Sequence, residues 1–235
     1  MSWSESSGPP AAGIGLSIGW AWQTFRANPG VLVISAVAVA VIQFVQQIAV
    51  QPLNDSLLAC LETTTPGQQN ACESGVTGAA FSSLLGFVFF LALTTLATMW
   101  TIRAALIASL GRPLVPVDVF SMHNAAAFAI TVLSVVAFGV GGFALCIVPG
   151  IIAVYLLQFA PFFALETGAG PLDALRASAQ MARKAPALVL ILLVFNTAMF
   201  LLGGLFFGIP TLITLPLAAL ATANVYRRLS GYAGG

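Results

Sequence analysis

Few side chains in this sequence could do chemistry, and their types limit what that chemistry could be. Cys60 and Cys72 share one polar stretch, while Cys146 sits in an apolar run. A thiol pair on the oxidising side of a plasma membrane is expected to form a disulfide that staples its stretch, whereas Cys146 reads as a small buried apolar residue. His123 is the single histidine. It lies near Asp118 with no second histidine or thiolate on its side, so it reads as a solvated or headgroup-contacting residue. An enzyme acting on lipids would have to draw on Glu166, Asp173 and His123, because no Gly-rich phosphate loop, paired catalytic carboxylates or Ser/His/Asp arrangement can be assembled. The expectation is a protein that is not an enzyme, with no cofactor and no metal. The remaining candidates are uncharged. Gln158 and Asn196 fall well inside apolar runs and Asn224 nearer the end of one. Such groups hydrogen-bond between membrane helices, each contributing about 1 kcal/mol, or line a polar path or ligand site.

These residues must be positioned by elements suited to lipid. The chain has 235 residues, 59% of them hydrophobic and 6% charged, and its mean hydropathy is +1.01. Apolar surface on that scale cannot be hidden in one water-soluble core, so an integral membrane protein is expected. A net charge of +1 speaks against nucleic acid as a partner, because phosphate binding needs clustered bases. All eight bases, Arg26, Arg103, Arg112, Arg176, Arg183, Lys184, Arg227 and Arg228, lie in or beside connections on one side. The stretch from Gln51 to Thr77 carries Asp55, Glu62 and Glu73 and no base. By the positive-inside rule both termini are then cytoplasmic, in a bacterial plasma membrane, and residues 51–77 form an extracytoplasmic loop. Residues 1–12 lack a basic segment ahead of an apolar one, so they read as a short disordered cytoplasmic tail before a single transmembrane domain, 13–235.

An all-α polytopic fold follows. A hydrocarbon layer of about 30 Å needs roughly 20 apolar residues per crossing. Six spans can be drawn, at about Val31–Val50, Ala79–Leu106, Ala125–Val148, Ile151–Leu165, Ala187–Phe207 and Thr211–Tyr226. Two pairs meet at short turns, Val148-Pro149-Gly150 and Gly208-Ile209-Pro210, where proline ends one helix and starts the next. Shorter two-faced segments precede three spans. In Pro171–Lys184, Asp173, Arg176, Gln180, Arg183 and Lys184 share one side, and Leu172, Leu175, Ala179 and Ala182 the other. Ile14–Arg26 and Pro116–Asn124 are the other two. These segments are expected to lie along the cytoplasmic interface, with Arg26, Glu166, Asp173, Arg176, Arg183 and Lys184 at headgroup level. Their order suggests a threefold internal repeat of interfacial helix and helical hairpin, with the acidic loop inserted in the first unit. Glycines at Gly139, Gly141, Gly142, Gly203 and Gly204 permit close helix approach.

The run Val148-Pro149-Gly150-Ile151-Ile152, then Phe159-Ala160-Pro161, Glu166, Gly170-Pro171-Leu172-Asp173-Ala174-Leu175 and Ser178, resembles a large family of six-helix bacterial membrane proteins. The opening segment from Trp20 to Gly30, ending Arg26-Ala27-Asn28-Pro29-Gly30, resembles it too. That family is similar to the membrane domain attached to some glycerophosphodiester phosphodiesterases, whose activity belongs to a separate soluble barrel. The resemblance implies a fold and a membrane location, and no catalytic residue.

The expected function is that of a non-catalytic plasma-membrane protein that organises lipids or supports a membrane protein complex, with lipids, another membrane protein or a second copy as partners. A transporter or lipid-translocating permease using Gln158, Asn196 and Asn224 is the alternative. For the disulfide, intact-mass analysis after alkylation without reductant should show Cys146 alone labelled, and a reductant should expose two further thiols. Three labelled thiols without reductant would remove the Cys60–Cys72 bond.

Overall fold

The computed structural model describes residues 10–62, 66–204 and 210–231, without the side chains of 10–12 and of most residues in 50–83. The expected Cys60–Cys72 bond and residues 1–9 of the expected tail lie outside what is described. The regular secondary structure of the described residues is all helical: α1 (Pro10–Ala27), α2 (Pro29–Glu62), α3 (Pro66–Ser109), α4 (Pro116–Val119), α5 (Ala125–Leu145), α6 (Ile147–Leu157), α7 (Ala160–Thr167), α8 (Pro171–Lys184), α9 (Pro186–Gly204) and α10 (Thr211–Ser230). Six of these helices begin on proline. The first turn has no intrahelical partner for its N–H groups, and the fixed φ of proline is already helical, so proline marks starts here rather than interruptions.

Five helical segments among the described residues are long and apolar enough to cross a membrane: Pro29–Ala49, Leu84–Ser109, Ala125–Leu145, Ile147–Thr167 and Pro186–Gly203. The sixth expected span, Thr211–Tyr226, forms α10 but is not among them. α10 carries Asn224, Tyr226, Arg227 and Arg228, and it packs against α1, α2, α3, α8 and α9. Its buried residues, Pro216, Ala219, Leu220, Ala221, Thr222, Ala223, Val225, Tyr226 and Arg227, face more than one direction. A helix wrapped by other helices can carry polar groups that a lipid-facing one cannot, which is why its hydropathy falls below that of its neighbours.

The stretch 51–77, expected to be a loop, is mostly helix. Residues 51–62 complete α2, and 66–77 open α3, so these two helices reach 34 and 44 residues. At 1.5 Å per residue each exceeds the roughly 30 Å of a hydrocarbon layer. Hydropathy locates the end of the apolar segment; it does not locate the end of the helix, because Leu57, Leu58, Ala59, Leu61 and Glu62 are all good helix formers.

Two further boundaries move. The α5–α6 hairpin turns at Cys146, which is extended (φ −174°, ψ 160°), and Pro149 and Gly150 lie inside the first turns of α6. Cys146 is exposed on this bend, not buried as expected. The expected span Ile151–Leu165 is split at Gln158 and Phe159, because Pro161 has no N–H to offer the Leu157 carbonyl and its ring crowds that carbonyl. Ser178 of α8 bridges the break. Its hydroxyl donates to the Leu156 carbonyl at 2.7 Å and accepts the Phe159 N–H at 3.1 Å.

Of the three two-faced segments, α8 has the expected bounds and α1 is longer, while Pro116–Asn124 is helical only over α4. α8 buries Ala174, Leu175, Ser178, Met181 and Ala182. Leu172, expected on the buried side, is exposed, because the inward stripe begins two residues later.

Helices meet closely where glycine allows it. A Cβ added at Gly142 of α5 would sit 2.9 Å from the Gly150 Cα of α6, and one at Gly203 would sit 2.8 Å from the Thr214 hydroxyl of α10. A Cβ added at Gly139 or Gly141, named with them from sequence, would meet no atom within 4 Å. Gly142→Ala should therefore lower stability by about 1–3 kcal/mol, read as a reduced thermal midpoint in detergent, while Gly141→Ala should leave it unchanged. Equal midpoints for the two variants would contradict the close hairpin.

Candidate functional site at the basic end of the bundle

The last turns of α3, α7 and α10 converge at one end of the bundle. There Arg227 is buried and pairs with Glu166, its Nη1 donating to Oε1. The Tyr226 hydroxyl donates to the other carboxylate oxygen, Oε2, at 2.6 Å. Arg227 Nε donates to the Ser109 hydroxyl at 3.1 Å, and that hydroxyl donates to the Leu106 carbonyl at 2.7 Å. One guanidinium, that of Arg227 on α10, thus ties α10 to both α7 and α3.

The surroundings set what burying this pair costs. Tyr226 is buried against Phe163, edge to face at 4.9 Å, and beside Phe162 and Phe159 at 5.9 and 6.5 Å. The Arg227 guanidinium carbon lies 5.8 Å from the Tyr226 ring centroid. Removing two charges from water is costly, and the cost is offset only when geometry is good and the remaining oxygens and protons are hydrogen-bonded. Both Glu166 oxygens meet that condition. The helix dipoles add a sign. Arg227 sits favourably in the last turn of α10, whereas Glu166 sits near the negative end of α7 and depends on its partners.

Adjacent contacts close the same end. Asn124, in the left-handed conformation at φ 59°, donates from Nδ2 to the Leu165 carbonyl at 3.0 Å. Gly168 ends α7 at φ 67°, where an added Cβ would sit 2.8 Å from Asn124 Oδ1. Arg228 donates to the Gly13 carbonyl at 3.0 Å, drawing α1 against the end of α10. Arg103 donates to the His123 carbonyl. The His123 side chain is exposed. Asp118 lies 3.7 Å from Arg112 and Asp173 lies 3.9 Å from Arg176, both pairs at the surface where such bridges contribute little. Arg26, Arg183 and Lys184 are exposed.

The three uncharged candidates bind different neighbours. Asn224 Oδ1 accepts the Ser17 hydroxyl at 2.8 Å, joining α1 to α10. Asn196 Nδ2 donates to the Thr222 hydroxyl at 3.1 Å, joining α9 to α10. Gln158 Nε2 reaches the Tyr155 and Val189 carbonyls at 3.3 and 3.4 Å, joining the α6–α7 break to α9. Among the described residues, no group of three or more His, Cys, Asp or Glu side chains gathers as a metal site.

Sequence reasoning named Glu166 as an interfacial acid and Arg227 as a marker of topology, and it missed their pairing, Tyr226 and Ser109. No local signal marked the pairing, because Arg227 meets Glu166 and Ser109, 61 and 118 positions away in the chain.

The chain is 30% identical over 224 residues to Uncharacterized protein Rv2560 of Mycobacterium tuberculosis strain H37Rv, an alignment covering 93% of this chain and 69% of that protein. Uncharacterized protein Mb2590 of Mycobacterium bovis matches with the same identity and coverage. The chain belongs to this mycobacterial family. No family profile matches it, and no solved structure does. For this member of the Rv2560 family, the chemistry of the basic end is that of a lock: an acid, a phenol and a guanidinium bound to one another and to three helices.

Glu166→Ala and Arg227→Ala should each destabilise the protein by about 2–4 kcal/mol, toward the low side for a pair with a partly exposed carboxylate, and Tyr226→Phe by about 1 kcal/mol. In thermal unfolding, the double variant E166A/R227A should cost clearly less than the two singles added together. Additive losses would show that the pair is not coupled.

Proposed function

We propose that this chain is a non-catalytic multi-pass protein of a bacterial plasma membrane that organises lipids or supports a membrane protein complex. The observation that carries the reading is that Asn224, Asn196 and Tyr226 inside the bundle are engaged helix to helix, while large apolar side chains such as Leu145, Phe200, Val140 and Phe44 are exposed around it. Polar groups used as internal ties stabilise a fixed assembly. The apolar exterior suits lipid tails or the faces of other membrane helices.

The finer architecture belongs to the same proposal. α10 serves as a sixth crossing, sheltered by the helices around it, and interfacial helix plus hairpin repeats three times, the first hairpin lengthened by its extended helices. The distribution of the eight bases supports cytoplasmic termini. The six-helix family similar to the membrane domain of glycerophosphodiester phosphodiesterases is the architecture the motifs resemble. Partners on this reading are membrane lipids, another membrane protein or a second copy.

A second reading, a transporter or lipid-translocating permease, draws on one specific feature: Gln158 Oε1 is buried without a hydrogen-bond donor. A polar atom in that state is a candidate contact for a passing or bound ligand.

Extraction of the tagged protein with native lipid in polymer nanodiscs, followed by mass spectrometry, tests the first reading. A stoichiometric protein partner or an enriched lipid class supports it, and bulk lipid with no partner overturns it. For the second reading, replacing Gln158, Asn196 and Asn224 with apolar residues should abolish flux of fluorescent lipid across liposomes. Flux that persists removes those residues from a path.

A further inference from the structure

We propose that the groove between α6 and the first turns of α9 holds one acyl chain of an anionic phospholipid, whose headgroup phosphate is bound by Arg183 and Lys184 at the end of α8. The inference rests on the lipid-organising reading and names its ligand class and site.

The groove has a volume of about 510 Å³ and is lined by Ile151, Ile152, Tyr155, Pro186, Ala187 and Leu190. That volume falls in the range of small-ligand pockets, roughly 300–1,000 Å³. Both walls belong to segments apolar and long enough to cross a membrane, so the groove opens toward acyl chains. The single polar side chain in its lining is directed away from a ligand. The Tyr155 hydroxyl donates to the Ala182 and Pro186 carbonyls at 3.1 and 3.3 Å, closing the joint between α8 and α9 and leaving an apolar surface in the groove.

Charge decides what fits. Arg183 and Lys184 are exposed, immediately precede the Pro186 wall, and make no ion pair with the described residues. By contrast, Arg176 on the same helix lies near Asp173 and Arg112 lies near Asp118. The start of α9 is at the basic end of the bundle, because Gly13, whose carbonyl binds Arg228, also faces Leu188. Two uncompensated cations thus stand where an apolar groove meets the expected headgroup layer, which matches an anionic lipid better than a zwitterionic one or an apolar helix.

The test uses the full chain in mild detergent and native mass spectrometry, titrated with phosphatidylglycerol, with phosphatidylcholine and with glycerol phosphate. Wild type should retain one phosphatidylglycerol in preference to phosphatidylcholine, and glycerol phosphate should not displace it. The exposed double variant R183Q/K184Q should lose roughly tenfold in apparent affinity, Leu190→Trp should lose the adduct by filling the groove, and R176Q should retain it. Equal losses for R176Q and the double variant, or retention by Leu190→Trp together with an undiminished double variant, would overturn the site while leaving general lipid organisation standing. A dimer that Leu190→Trp dissociates would assign the groove to a second copy and overturn the proposal. A wild type that retains no lipid of any class would remove both the site and the lipid-organising reading.

Discussion

A helix surrounded by other helices in an apolar medium must have each of its polar groups met by protein, since neither water nor lipid can do so. α10 packs against α1, α2, α3, α8 and α9, and the arrangement of the basic end follows from how its polar groups are met. Its last turns carry an amide, a phenol and a guanidinium: Ser17 of α1 meets the amide, Glu166 of α7 the phenol and the guanidinium, and Ser109 of α3 the guanidinium again. Thr222, one turn earlier, meets Asn196 of α9. Dispersion and close packing hold membrane helices together with little hydrophobic drive between them. These polar ties therefore fix which helices lie next to α10 and in what register.

The same accounting governs the breaks. Cys146 adopts extended backbone at a hairpin tip, and the break at Gln158 is bridged by Ser178, which serves a freed carbonyl and a freed N–H together. A helix end in lipid without such partners would cost several kcal/mol for each unmet group. α8 consequently has two roles in one short helix. Its inner face completes the backbone of its neighbour, and its outer face presents bases beside the start of α9.

How much of this was legible in the sequence depends on whether a feature is local. The start of α8 at Pro171 was placed from sequence and that of α9 to within one residue, and hydropathy located the cores of five segments long and apolar enough to cross a membrane. The end of α2 was misread because hydropathy reports the medium around a helix, and Leu57 to Glu62 can remain helical after the medium changes. The α5–α6 turn was misplaced by a few residues because proline is tolerated within a first turn. The Leu172 side of α8 was misassigned because the inward stripe depends on the surface it meets, α5, α6 and α7, and not on periodicity alone.

Composition determined the class of protein, because lipid solvation acts on each residue type independently of its neighbours in space. Only the tertiary structure decided that Arg227 turns inward to Glu166 while Arg228 reaches Gly13, and that Gln158, Asn196 and Asn224 bind three separate partners. Those pairings join residues as far as 215 positions apart. Their existence depends on which helices pack together, and no local pattern of charge or hydropathy encodes that choice.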